Sequence, residues 1–374
     1  MGDFFNSGSL TNLRDHLLPG LWPLLLAFVA CALVVPLMIR LSHRTGLIAM
    51  PSGRHPHAQP TPLLGGLAMF LGFAIAVLIF LPGYQWTAGV LVVSGLAALL
   101  LIVDDRWPVR PALKFALQAV VALVAVVGFG FLITFVGLPG FGSGRVHVLA
   151  LGWLAYPISI FWLLGMQNTV NFLDGVDGLA AGVVFIVTIT LMLAAAGLGQ
   201  VEVVQLGGAL AGCCAGFLLF NFHPARIFMG DSGSHFLGIA LGVLSILGVA
   251  KVAVAFALVV PVLALALPIG DTAWAILRRR RVKASVAQPD LEHLHHRLQA
   301  FGLDARQTCY VFYSASALLG AIGLTLFGHG RILAVALVTA LALASTVAAD
   351  LLQRTGWRIQ VPGLASLLGI SAVR

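Results

Sequence analysis

The sequence is short of charge. Only 9% of its 374 residues are Asp, Glu, Lys or Arg, where a soluble globular domain carries roughly 25%. A chain so poor in charge cannot cover a water-facing surface, which excludes an ordinary soluble enzyme. Acids are the scarcer sign, 13 against 21 Lys and Arg, so the position of each acid is informative. Cysteine is nearly absent. Cys31, Cys213, Cys214 and Cys309 lie in or beside apolar runs with no loop spacing between them, which argues against a disulfide framework and reads as small hydrophobes in helices. No G-x-x-x-x-G-K-[ST] loop is present, so a donor hydrolysed for work is not expected. No internal repeat or low-complexity tract occurs.

Apolar sequence takes the place of charge. The chain is 60% hydrophobic with mean hydropathy +1.03, and runs such as 21–41 and 114–136 reach the ~20 residues that cross a bilayer. An all-α polytopic membrane protein follows, a single integral domain over 1–374. About eleven transmembrane helices are expected, at 21–41, 63–82, 86–103, 112–136, 153–167, 178–199, 203–220, 234–250, 252–277, 308–328 and 331–352. The first is too long for a signal-peptide core and reads as retained. Residues 141–153 alternate like a small extracytoplasmic hairpin. Pro261 and Pro268 bend or break the ninth span. The net charge of +8 fits basic loops on one membrane face, with no nucleic-acid partner.

The loops divide by parity. Those after spans 1, 3, 5, 7 and 9 are rich in Arg, His and Asp; those after even spans are short and nearly neutral. Only Arg14, Arg145, Lys251 and Arg331 fall on the even-loop and N-terminal side. The positive-inside rule then makes the odd loops cytoplasmic and the N-terminus external. Asp104, Asp105, Asp174, Asp177, Asp231, Asp271, Asp290, Glu292, Asp304 and Asp350 gather on the same face. That is the layout of a site open to a soluble reactant and a lipid together.

Four stretches carry candidate chemistry. Asp104 and Asp105 end span 3, where two acids oppose the helix dipole; a solvated end with an Asp–Arg106 pair is the plain alternative. Lys114 and Gln118, one turn apart on the next span, are possible partners. Asn168, Asn171, Asp174 and Asp177 recur at steps of three and would share a face if helical or 3₁₀, with oxygens suited to Mg²⁺ or to the NH groups of a base. The alternative is a polar Asp-Gly turn. In NFHPARIFMGDSGSHFLG (221–238), Asp231 reads as a helix N-cap, at a helix start that also suits phosphate, and Phe228 could stack on a base.

The fourth stretch is the loop at 276–307. Leu291, Leu294, Leu298 and Phe301 stripe a short helix. His293, His295, His296 and Arg297 suit a diphosphate better than zinc, given the poor ligand spacing. Arg278 to Arg281 add attraction for anionic headgroups.

Together, DD at 104–105, NFLDGVDGL at 171–179, NFHPARIFMGDSGS at 221–234 and DLEHLHHRL at 290–298 resemble the polyprenyl-phosphate N-acetylhexosamine-1-phosphate transferases, over most of the chain and in the family's order. The resemblance implies transfer of a sugar 1-phosphate from a UDP-N-acetylhexosamine to undecaprenyl phosphate in the bacterial cytoplasmic membrane, with release of UMP. It implies Mg²⁺, or Mn²⁺ in its place, on Asp231 with Asn171 nearby. It assigns Asp104 and Asp105 to the lipid phosphate, Asp174, Asp177, Asn221 and Phe228 to the nucleotide, and His293, His295, His296 and Arg297 to the diphosphate and sugar. Lys114 joins the binding set, and a homodimer is an open expectation. The order H-L-H-H resembles the branch that uses UDP-GlcNAc, with phospho-MurNAc-pentapeptide transfer second. The first loop departs from the pattern, with Ala49 and Met50 where relatives often carry Asp-Lys.

Two other classes compete. An ion-coupled transporter sets its charges near the midplane, often in paired halves, and a lipid-binding scaffold has no need for so many acids.

Overall fold

The computed structural model describes residues 15–50, 60–107, 109–139, 146–250 and 304–325, together with Gly270, Trp274 and Leu277. These residues form a helical bundle. Its helices are α1 (Leu21–Thr45), α2 (Gly65–Phe80), α3 (Thr87–Leu100), the short α4 (Ile102–Arg106), α5 (Pro111–Leu123), α6 (Ala155–Leu173), α7 (Leu179–Gly197), α8 (Val201–Asn221), α9 (Gly230–Ala250) and α10 (Ala305–Thr325). Among the described residues, six stretches are long and apolar enough to cross a bilayer: 15–45, 87–106, 111–128, 179–197, 201–221 and 230–248. The expected spans at 252–277 and 331–352 lie outside the described residues, apart from 270, 274 and 277.

Small residues set the packing. In lipid, helices associate through close backbone approach rather than through apolar burial. On α8, Gly208, Gly212 and Gly216 recur one turn apart, and a Cβ on each would lie 2.1, 2.2 and 2.5 Å from the carbonyl oxygens of Gly20, Leu24 and Phe28. A glycine stripe thus lets α8 lie directly on the backbone of α1. Burial ranks the helices: 83% of the α9 span is enclosed, against 17% of the first. The helix carrying Asp231 is therefore central, while α1 turns Leu33 and Leu37 outward.

Two sequence boundaries are corrected. The fourth span was expected to run to 136, but α5 gives way to a single π-helical segment at Val124–Gly128 and then to extended chain. The β-branched and aromatic residues beyond it pair instead: β1 (Phe135–Pro139) is antiparallel to β2 (Val146–Ala150). The hairpin thus begins before the expected 141. At the opposite end of the bundle, residues 62–66 pair with 228–229 through Phe228 N–H to Pro62 O (2.8 Å), Gly65 N–H to Phe228 O (3.0 Å) and Gly66 N–H to Met229 O (3.0 Å).

That end gathers distant parts of the chain. The ends of α1, α4, α6 and α8 meet the starts of α2, α5, α7, α9 and α10 there, as contacts Arg106–Gly46, Lys114–Asp231, Asn221–Gly178 and Arg306–His223 require.

Candidate active site

The start of α9 organises the site. Gly230 adopts φ +68°, a left-handed conformation that glycine takes without strain. A Cβ there would lie 2.6 Å from Asp105 Oδ1. Asp105 occupies that space, accepting the N–H of Asp231 (2.7 Å) and of Ser232 (3.2 Å). These are first-turn amides with no intrahelical partner, so Asp105 of α4 caps α9 from across the bundle. Asp231 was expected to be the cap. It is instead inside the helix, one residue past its first position, with its carboxylate free for other work.

That carboxylate faces Lys114 and Asn171. Asp231 Oδ1 lies 2.7 Å from Lys114 Nζ and accepts from Asn171 Nδ2 at 2.6 Å. Lys114 also reaches Asp104 Oδ2 at 3.2 Å, and Asp104 Oδ1 accepts the Val109 N–H at 2.8 Å. One ammonium thus bridges Asp104 and Asp231. The Asp–Arg106 pair considered above does not form: Arg106 lies over Trp107 and donates to Gly46 O.

The four-residue ladder divides. Helix α6 runs to Leu173 rather than 167, so Asn168 and Asn171 share a helical face, with Asp174 as the next residue past the end. The chain then turns, and Gly178 (φ +83°) starts α7. The turn carries Asp177 away from the others. Its Oδ2 meets His223 Nδ1 (2.8 Å) and accepts the Ala225 N–H (3.1 Å). Asn221 is buried and ties two segments, accepting from Gly178 N–H (3.0 Å) and donating to Ile227 O (2.9 Å). Phe228 is half-buried on the same side.

Asp174 is half-buried among other carboxyls. Enclosure by protein raises its pKa well above the usual range, and the negative charges of Asp231, Asp105 and Asp177 raise it further, against a smaller lowering by Lys114. Among the described residues no hydrogen-bond donor reaches its side chain.

Beneath these groups lies a layer in which sequence reasoning singled out Gln118 and Asn168 but missed His235. His235, one turn below Asp231 on α9, is fully buried. Its Nδ1 lies 2.6 Å from Asp231 O and its Nε2 lies 2.8 Å from Gln118 Nε2. Asn168 Nδ2 donates to Gln118 Oε1 (2.8 Å). The i, i+4 relation of Asp231 and His235 was the available signal. His293, His295, His296 and Arg297 lie outside the described residues.

The site therefore brings together Asp104, Asp105, Lys114, Asn171, Asp174 and Asp231, and ties Asp177 and Asn221 into the adjoining turn. Among the described residues, no three His, Cys, Asp or Glu side chains converge as a ready metal-ligand set. The donors are nonetheless hard oxygens in excess over positive charge, which suits a hard divalent cation.

Known proteins are similar to this chain in sequence. Residues 87–249, which span Asp104 through α9, match the family model for glycosyl transferase family 4. A Bacillus subtilis protein named probable undecaprenyl-phosphate N-acetylglucosaminyl 1-phosphate transferase is 37% identical over 77% of this chain and 80% of its own length. A decaprenyl-phosphate N-acetylglucosaminephosphotransferase of Mycolicibacterium smegmatis is 35% identical over 90% of each chain. A phospho-N-acetylmuramoyl-pentapeptide-transferase of Moorella thermoacetica is 30% identical over 83% of this chain and 99% of its own.

Proposed function

This chain belongs to glycosyl transferase family 4, and on that premise we propose that it transfers N-acetylhexosamine 1-phosphate from a UDP-sugar, UDP-GlcNAc first among them, to undecaprenyl phosphate. An oxygen of the lipid phosphate attacks the sugar-bearing phosphorus. The bond from that phosphorus to the bridging oxygen breaks, UMP leaves, and a lipid diphosphate sugar remains. The names of the B. subtilis and M. smegmatis relatives, at higher identity than that of M. thermoacetica, support this reading over phospho-MurNAc-pentapeptide transfer.

The observation that carries the chemistry is Lys114 held between Asp104 and Asp231. Two anionic phosphates must meet, and the transition state spreads charge over their oxygens. Lys114 offers a positive charge where they would approach. Asp104, its other oxygen turned to a backbone N–H, is placed to accept the last proton of the lipid phosphate. Asp105, occupied by the α9 amides, holds Asp231 in position. Asp174 and the turn at Asp177 form the side assigned to the nucleotide.

The Asp231 carboxylate and the Asn171 amide oxygen, on side chains already joined by the Asn171 Nδ2–H bond to Asp231 Oδ1, would hold Mg²⁺, with Mn²⁺ as a substitute. The ion would offset the charge of the diphosphate and of departing UMP. The His293–Arg297 segment would close on the donor. We place the site at the cytoplasmic face of the bacterial inner membrane with the N-terminus outside, as the Lys and Arg distribution suggests.

The decisive experiment measures transfer of radiolabelled sugar phosphate from several UDP-sugars into undecaprenyl phosphate by the purified chain, with and without Mg²⁺. Mg²⁺-dependent labelling of the lipid with UDP-GlcNAc is expected. No labelling with any UDP-sugar rejects the assignment.

A further inference from the structure

The site has two storeys, built from the same three helices. In the upper one, Lys114 of α5, Asn171 of α6 and Asp231 of α9 meet. Gln118, Asn168 and His235 form the lower one, each about a turn deeper along its own helix. Asn168 is three residues before Asn171; Gln118 and His235 are four after Lys114 and Asp231.

Hydrogen-bond roles in the lower layer are fixed from both ends. Asp231 O can only accept, so His235 Nδ1 carries the proton and donates to it. Leu164 O also accepts only, which orients the Asn168 amide with Nδ2 toward it (2.8 Å) and toward Gln118 Oε1. Gln118 must then present its NH₂, which donates to the unprotonated Nε2 of His235. Every member has a partner with the right polarity. A neutral, fully buried imidazole of this kind is a poor proton carrier and a precise spacer.

We propose that Gln118, Asn168 and His235 are positioning residues for the transfer reaction: they lock the rotation and register of α5, α6 and α9 so that Lys114, Asn171 and Asp231 converge. The role rests on the function proposed above. Deeper between α6 and α9, Trp162 Nε1–H donates to Ser245 Oγ (2.9 Å), and the contacts around Gly238 are close backbone approaches, with a Cβ there only 2.5 Å from Gln167 Cα. Such approaches tolerate sliding; a three-member chain of directional bonds does not. A misplacement of about 1 Å in a catalytic constellation costs roughly 10²-fold in rate.

The test is a double-substitution cycle on the purified full chain with His235→Phe, Gln118→Met and both together. Transfer rate, UDP-GlcNAc affinity by direct titration and melting temperature are measured for each. Either single change leaves a buried polar partner unpaired and lowers the melting temperature, whereas the double change removes both polar groups and restores much of it. Asn168 keeps Leu164 O throughout. The expected result is a kcat loss of about 30- to 100-fold in both singles that persists in the double despite its recovered stability, with donor affinity within about threefold. Recovery of kcat in step with melting temperature would assign the layer to stability alone. Wild-type kcat in either single, or melting losses that simply add, would also overturn the proposal. If the wild-type chain transfers no sugar, the function above fails; the melting cycle still reports whether the two side chains are coupled, and additive losses would then reject the layer.

Discussion

Asp105 and Asp231, 126 positions apart in the chain, are joined by a single bond of 2.7 Å from the Asp231 N–H to the Asp105 carboxylate. The bond docks the α4 turn onto the start of α9, the most enclosed of the described spans. It also aligns the dipole of α9 with a negative charge, where an anion is favoured. Of two adjacent acids, one is thereby committed to architecture and the other, Asp104, is left beside Lys114.

Gly230 makes that junction possible. Gly230→Ala places a Cβ against the Asp105 carboxylate and forces φ +68° on an L-residue. A loss of about 1–3 kcal/mol is expected, with loss of transfer, read by thermal unfolding in detergent and by the radiolabel assay. An unchanged melting temperature and rate would contradict the geometry.

Asp104→Asn and Asp231→Ala are expected to abolish transfer while the protein remains folded. Lys114→Met should do the same at a cost in stability, because it leaves two carboxylates facing each other. Breaking a buried pair costs about 3–5 kcal/mol; the Lys114 side chain keeps 22% exposure, so a smaller loss is expected. Added Mg²⁺ should recover part of that stability. The measurement is melting temperature with and without the ion.

Asp174 gives a pH dependence. Its folded pKa is raised above 3.8 by burial and by Asp231 and Asp105. The folded state thus holds the proton more tightly than the unfolded chain, and stability falls as pH rises from about 4 through the folded pKa. Asp174→Asn should flatten that fall and raise metal-free stability at neutral pH, while weakening stabilisation by Mg²⁺ with UDP. Unfolding curves from pH 4 to 8 on both proteins would show it; identical slopes would reject it.

Asp177 and His223 form an exposed pair, with side-chain exposures of 22% and 44%. Such pairs contribute about 0–1 kcal/mol. His223→Ala should therefore cost little stability. Asp177→Ala also strips the acceptor from Ala225 N–H and should reduce transfer more. Equal effects on the radiolabel rate would show that the backbone tie is unimportant.

Gly212 rests on Leu24 O, with a Cβ position 2.2 Å away. Gly212→Leu must part α8 from α1, which moves both backbones. A sharp drop in folded yield and melting temperature is expected, with Gly83→Ala, where nothing lies within 4 Å, as the silent control.

Much of the architecture was legible in residue order. Among the described residues, six apolar runs long enough to span lipid form helices where the sequence places spans, since length and hydropathy are local properties. Parity of charge alone predicts Asp104, Asp174 and Asp231 at one face. Helix ends were less legible. Asn168 and Asn171 look like loop residues in an apolar protein, yet α6 runs through both because Gln118, Asp231 and Ser234 receive their amides. The π-helical stretch at Val124–Gly128 is as apolar as a continuing helix, and nothing local marks where it stops.

What the sequence by itself determined is the class: a multi-pass helical membrane protein whose rare carboxylates gather at one end, because charge in a chain so apolar is excluded from most positions by the cost of desolvation. Only the tertiary structure decided the division of labour. Asp105 serves as a cap and Asp231 does not; Asp177 leaves the ladder; His235 sits beneath the site. Those roles follow from which donor lies against which oxygen, a property of several helices packed together that no one of them encodes alone.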